Sequence, residues 1–133
     1  MTRSCDGFDD PIRILYVNDD DAFADLVATK LDAIAPDIEV TVAGSASEAL
    51  SMLPDAGVEC VVTAYALSDR TGVDLIRAIR DRDADLPTVL FTGRGSEQIA
   101  SEATRADASD YVPIEAGQES FELLASRVRT LVD

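Results

Sequence analysis

The stretch Val17-Asn18-Asp19-Asp20-Asp21 sets a carboxamide and three carboxylates directly after an apolar run. Oxygen groups at such a turn suit a hard cation, or they cap a helix by accepting its unpaired backbone N–H groups. They would repel a phosphate, and the segment lacks the glycines of a phosphate cradle. Flavin or nucleotide binding is therefore not expected there. Asp20 or Asp21 can cap a helix with no metal present, and for Asp19 capping or solvation outweighs metal binding. Three other segments bear on chemistry: Thr63-Ala64-Tyr65-Ala66, Thr92-Gly93-Arg94-Gly95 and Pro113-Ile114-Glu115. None offers a nucleophile beside a base. The chain has no histidine, which removes the commonest general base and any Ser-His or Cys-His pairing. Cys5 and Cys60 lack metal-ligand spacing and read as free thiols in a reducing cytoplasm, Cys60 as a small core residue. No catalytic residue and no metal site is expected.

Those segments act together only if a scaffold gathers them. Strand and helix patterns alternate along the chain. Strand one is Ile12 to Val17, and helix one carries Phe23, Leu26, Val27, Leu31 and Ile34 on one stripe, ending at Pro36. Strand two, Ile38 to Val42, alternates apolar and polar residues. Helix two starts at Gly44 and Ser45, where Ser45 and Glu48 form a capping-box pattern. Pro54 and Gly57 punctuate before strand three, Cys60 to Thr63. Helix three opens at Gly72 and turns Val73, Ile76 and Ile79 inward. Strand four is Thr88 to Phe91. Helix four, near Ser96 to Thr104, has little beyond Ile99 and alanines to bury. Strand five is Ser109 to Val112, and helix five repeats Phe121, Leu124, Val128 and Leu131.

Strands one, three and four are short apolar runs, as strands buried on both faces require. Five βα units predict a three-layer α/β sandwich around a five-stranded parallel sheet, flavodoxin-like, of order 2-1-3-4-5. In such a sheet ligands sit at the carboxyl ends of the strands, near the switch point. All the segments named above fall at that edge.

Composition bounds the rest. With 133 residues and 47% hydrophobic content the chain fits one domain with a buried core. Residues 1–10 read as a flexible polar tail and 11–133 as the domain. The tail is no signal peptide, and no apolar run is long enough for a membrane helix, so a cytoplasmic protein is expected. Twenty-six acidic against 11 basic side chains give a formal charge of −15. That surface disfavours nucleic acid and anionic membranes. Dispersed acids of this density resemble proteins of salt-loving microbes such as the haloarchaea, whose salt screens charges within about 3 Å at 1 M.

The order of elements, with Val17-Asn18-Asp19-Asp20 after strand one, Gly72 opening helix three, Phe91-Thr92-Gly93 after strand four and Asp110-Tyr111 in strand five, resembles a response-regulator receiver domain of two-component signalling. The resemblance covers Pro11 to Leu131. It implies an acidic pair for magnesium, a phosphorylated aspartate ending strand three, a threonine or serine and a lysine that contact the phosphoryl group, and an aromatic residue that reports the switch. Residue by residue, this chain departs from that set. Asn18 takes the first place of the acidic pair and Asp19 keeps the second. The phosphorylated aspartate lies eight residues before the glycine opening helix three, which is Ala64 here. The lysine lies three residues after the strand-five aromatic, which is Ile114. Thr92 and Tyr111 match. Thr63, Tyr65 and Ala66 flank position 64, so a small shift of register restores no aspartate.

The resemblance thus implies a degenerate, non-phosphorylatable receiver: a protein-interaction module, not an enzyme, with magnesium binding weak or lost and no other cofactor. Its expected partner is a signalling protein (a histidine kinase, a regulator or an output domain) at the face of helix four, strand five and helix five. Ile99, Ala103, Arg105, Tyr111 and Phe121 belong to that face, although Phe121 fits core packing better. A homodimer is also compatible. Alternatives are a working receiver with unusual chemistry and a small-molecule binder in the strand-end cleft. Asp69, the one carboxylate in the loop after strand three, lies well past the strand end for a surrogate acceptor.

Overall fold

A computed structural model describes residues 11–53, 57–93, 97–114 and 119–132. Its elements follow in order: β1 (Ile12–Val17), α1 (Asp21–Ile34), β2 (Ile38–Ala43), α2 (Ala46–Met52), β3 (Cys60–Thr63), α3 (Gly72–Arg82), β4 (Thr88–Thr92), α4 (Glu97–Arg105), β5 (Asp110–Pro113) and α5 (Glu119–Val132). The strands form one sheet of order β2-β1-β3-β4-β5. Every pairing is parallel, with Val17 beside Ala43 on one side and Thr63 on the other. Architecture and strand order are those expected. The tail at 1–10 with Cys5, the Pro54 break, Arg94 to Ser96 and Glu115 lie outside the described residues.

Successive residues of β1 point to opposite faces of the sheet. Ile14 and Tyr16 enter one core layer with Val27, Leu31, Val62, Phe91, Leu124 and Val128. Leu15 and Val17 enter another with Ala49, Val61, Leu75 and Ile79. A third group, Val73, Ile76, Leu90 and Ala103, carries the second layer on under α4. Thus α1 and α5 cover one face, and α2, α3 and α4 the other. Phe91 of β4 and Phe121 of α5 meet edge to face at 5.9 Å, so Phe121 is a core residue. Full burial of each large apolar side chain stabilises by about 1.5–3 kcal/mol. The half-exposed ion pairs, such as Arg13–Glu39 and Arg77–Asp74, contribute about 0–1 kcal/mol each. The apolar layers hold this fold.

Local signals behave as the sequence suggests. The Asp20 side chain caps α1 by accepting the Phe23 N–H at 3.1 Å. In the capping box, Ser45 Oγ accepts the Glu48 N–H at 3.0 Å, and Glu48 Oε1 reaches back to the Gly44 N–H at 2.6 Å. Cys60 is buried, and burial pushes its thiol up to about 12. One core assignment is corrected. Leu26, expected on the inner stripe of α1, is 42% exposed. The inner stripe is narrower, centred on Ala24, Val27 and Leu31, and Leu26 falls off its edge. Some boundaries also move: β2 extends to Ala43, β4 to Thr92, α4 to Arg105, and β5 runs one residue later than read.

Candidate functional site

Parallel strands that end together place their following residues on one edge. Three backbone hydrogen bonds extend the ladders past the strand ends here. The Asn18 N–H donates to Ala43 O at 3.0 Å, the Ala64 N–H to Val17 O at 2.9 Å, and the Ile114 N–H to Thr92 O at 2.9 Å. Each loop therefore leaves the sheet from a fixed position. Asn18, Asp19, Ala64, Thr92 and Ile114 all line one cleft of about 400 Å³ at this edge. Tyr111, the remaining residue singled out from sequence, is not on its wall. It is half-buried against the group under α4 that contains Leu90, Ala103 and Ala106.

The cleft is built from unlike parts. Its polar floor is tied up internally. The Asn18 Nδ2 donates to the Tyr16 hydroxyl at 3.0 Å, and the Asn18 Oδ1 accepts the Asp20 N–H at 3.0 Å. Asn18 is 7% exposed and Tyr16 fully buried. Burial pushes the Tyr16 phenol up to about 12, the Asn18 bond pulls it down and the Asp20 charge raises it, so it stays protonated. Thr92 is buried, and Ala64 and Ile114 are half-buried. Asp19 and Asp20 stand exposed at the mouth. Of the side chains read at the strand ends, Ala64 and Ile114 present only carbon.

Helix α3 begins against the end of β3. The Gly72 N–H donates to Tyr65 O at 2.6 Å, and Ala66 pairs with Thr71 across the loop. Asp69 is carried away from the cleft. Its carboxylate lies over the first turn of α2, accepting the Ala46 N–H at 3.1 Å, the Ser47 N–H at 2.9 Å and the Ser47 hydroxyl at 2.8 Å. The Ser47 bonds hold its carboxyl down at about 2. It closes a helix terminus.

Sequence reasoning missed Tyr16, Phe23 and Phe91 as cleft residues. A signal for Tyr16 existed. Residues two apart in a strand share a face, so a hydroxyl at 16 lies beneath a polar side chain at 18. Phe23 and Phe91 read only as core.

A parallel β2-β1-β3-β4-β5 sheet with its cleft at the strand ends defines a doubly wound α/β domain of the flavodoxin type. The family model described as "Response regulator receiver domain" matches residues 14–122, and the chain belongs to that family. It is 31% identical over 122 residues to the transcriptional regulatory protein TrcR of Mycobacterium tuberculosis, covering 92% of this chain and 46% of that protein. It is 33% identical over 106 residues to the methanogenesis regulatory protein FilR1 of Methanothrix harundinacea, covering 77% of this chain and 24% of that one. The chain therefore spans half or less of these curated relatives. Among solved structures, the chemotaxis protein CheY4 of Vibrio cholerae superposes with TM-score 0.79 at 20% identity, covering 89% of this chain and 98% of that one. The HemR receiver domain of Leptospira biflexa superposes with TM-score 0.77 at 24% identity, covering 92% and 94%. These superpositions bear on the fold. The family places the chain in two-component signalling, where receiver domains meet kinases and output domains.

Proposed function

We propose that this chain is a receiver domain that takes up no phosphoryl group and acts by binding a signalling partner. The observation that carries the reading is Ala64, the first residue past β3, tied by its N–H to the end of β1. A phosphoacceptor must be both nucleophile and metal ligand, and a methyl group is neither. The other changes agree in chemistry. Ile114 supplies no cation to balance a phosphoryl group. Asn18, a neutral amide, turns its oxygen to the Asp20 N–H and its NH2 to Tyr16. Magnesium wants near-octahedral oxygen ligation, usually with carboxylates. Asp19, and the one Asp20 oxygen left beside its capping bond, make a poor set for it. A surrogate acceptor at Asp69 is disfavoured by its engagement with α2.

The partner surface on this reading is the face of α4, β5 and α5. Leu123 of α5 is 39% exposed there, near Arg127, whose guanidinium pairs with Asp110 of β5 at 3.0 Å. Phe121 and Ala103 leave the expected set because both are core, and Leu123 is the exposed apolar contact in their place.

Beryllofluoride with magnesium tests the site directly. Amide spectra of the chain should not move at Thr92, Tyr111 or the strand ends, because no oxygen at position 64 holds the mimic. Saturable shifts centred on that cleft would contradict the reading.

A further inference from the structure

A cleft of about 400 Å³ lies within the size range of small recognition pockets. Its wall and its mouth differ in kind. The wall is largely carbon, from Phe23, Phe91, Ala64 and Ile114. In the floor, Asn18 already bonds the Tyr16 hydroxyl and the Asp20 amide. At the mouth stand Asp19 and Asp20, both exposed. Neither forms an ion pair with a described residue, whereas Asp37, Asp74, Asp107 and Asp110 each meet an arginine. Position 114, at the inner wall, holds isoleucine.

An apolar slot with unbalanced negative charge at its mouth selects its occupant by charge. An anion is repelled from it. A neutral apolar group fills the slot but leaves the carboxylates without a counter-charge. A cationic head on an aliphatic stem satisfies both parts. We propose that this cleft receives a lysine or arginine side chain presented by the protein partner, with its stem along Ala64 and Ile114 and its head at Asp19 and Asp20. The proposal rests on the interaction-module reading and names how the partner is recognised at the strand ends. The openness of the site favours a partner's side chain over a free metabolite. Asp19, Ala66 and Gly93 are all exposed around it, so a small molecule would stay partly uncovered, while a partner brings its own covering surface.

The isolated group should bind weakly. One short stem and one solvent-screened charge contact leave an analogue of a single side chain in roughly the millimolar range. The test uses four probes on one stem: n-butylguanidinium, n-butylammonium, 1-butanol and butyrate. Each is titrated into the whole chain while backbone amide shifts are followed. Sodium chloride at about 1 M shortens screening to about 3 Å, which suppresses diffuse attraction to the acidic surface.

The two cations should shift amides of Asn18 to Phe23, Ala64 to Ala66, Thr92 and Ile114, saturating in the millimolar range. Butanol should bind several-fold more weakly, and butyrate should leave those amides still. Asp19→Asn, at an exposed position, should weaken the cations several-fold toward the level of butanol, with Asp20 keeping one carboxylate at the mouth. Ile114→Lys, which puts a charge of the same sign in the slot, should abolish their binding while amide dispersion shows the domain folded. Butyrate binding as well as the cations, cation shifts scattered over the acidic surface, or cation binding unchanged by Asp19→Asn would each overturn the proposal. Such a failure leaves phosphoryl uptake, read separately by mass, untouched, so the two readings fail independently.

Discussion

A Cβ on Gly72 would collide with the carbonyl of Ala64 and crowd the Leu90 side chain. Glycine is required here by close approach: α3 starts directly over the end of β3, and the Gly72 N–H bonds Tyr65 O. The same contact ties the numbering of the site to the fold, because the residue beneath Gly72 is the first one past β3. Replacing Gly72 with alanine should destabilise the domain by about 1–3 kcal/mol or more, the range for overpacking against a rigid neighbour. A chemical denaturation midpoint within error of wild type would show that α3 does not sit this close.

Asp69 makes a prediction about acid. Its carboxyl falls from 3.8 to about 2 through hydrogen bonds from Ser47 and Ala46. A folded-state value below the unfolded one means that Asp69 contributes stability above about 3.8, and that this contribution fades as pH falls toward about 2. Asp69→Asn should therefore be less stable than wild type at neutral pH, with the gap closing through that window. Denaturation curves at a series of pH values check it. A gap independent of pH would mean that the carboxylate is not what holds α2.

Arg80 of α3 gathers acceptors from two segments. Its guanidinium donates to Asp107 O at 2.9 Å, Leu86 O at 2.5 Å, Thr88 Oγ1 at 3.1 Å and Ser109 Oγ at 3.3 Å, with the side chain only 13% exposed. It joins the C-terminal end of α3 to the start of β4 and the turn before β5. Arg80→Met keeps the stem and orphans those acceptors, and should cost about 2–4 kcal/mol. A loss under about 0.5 kcal/mol, the level of an ordinary surface change, would assign the network no structural weight.

The sheet was legible because its signals are local. Apolar runs at Ile12 to Val17, Cys60 to Val62 and Thr88 to Phe91, separated by Gly and Pro, give strands of a doubly wound fold with little ambiguity. So were the places of Asn18, Ala64, Thr92 and Ile114, since parallel strands end on one edge. What escaped was long-range. Asp69 is 22 residues from Ser47 and Arg80 is 27 from Asp107, and no periodicity links such partners. Leu26 was misplaced because a stripe read at i, i+3 and i+4 spacing does not say how wide the buried face is.

The acidic surface predicts a response to salt. With a formal charge of −15, self-repulsion should be screened as salt rises from low to molar concentration. The thermal midpoint should climb over that range. A flat or falling midpoint would remove the resemblance to proteins of salt-loving microbes.

Phosphoryl uptake tests the central claim most directly. The chain is incubated with acetyl phosphate and magnesium and its intact mass is measured, beside Ala64→Asp and the triple variant Asn18→Asp, Ala64→Asp, Ile114→Lys. Wild type should gain no mass. The single variant should gain little, because its new carboxylate lacks the balancing cation and the second metal carboxylate. The triple variant should gain clearly more than the single changes added together, as groups acting as a unit do. A phosphoryl mass on an aspartate of the wild-type chain would contradict the reading of this domain as an unphosphorylated receiver.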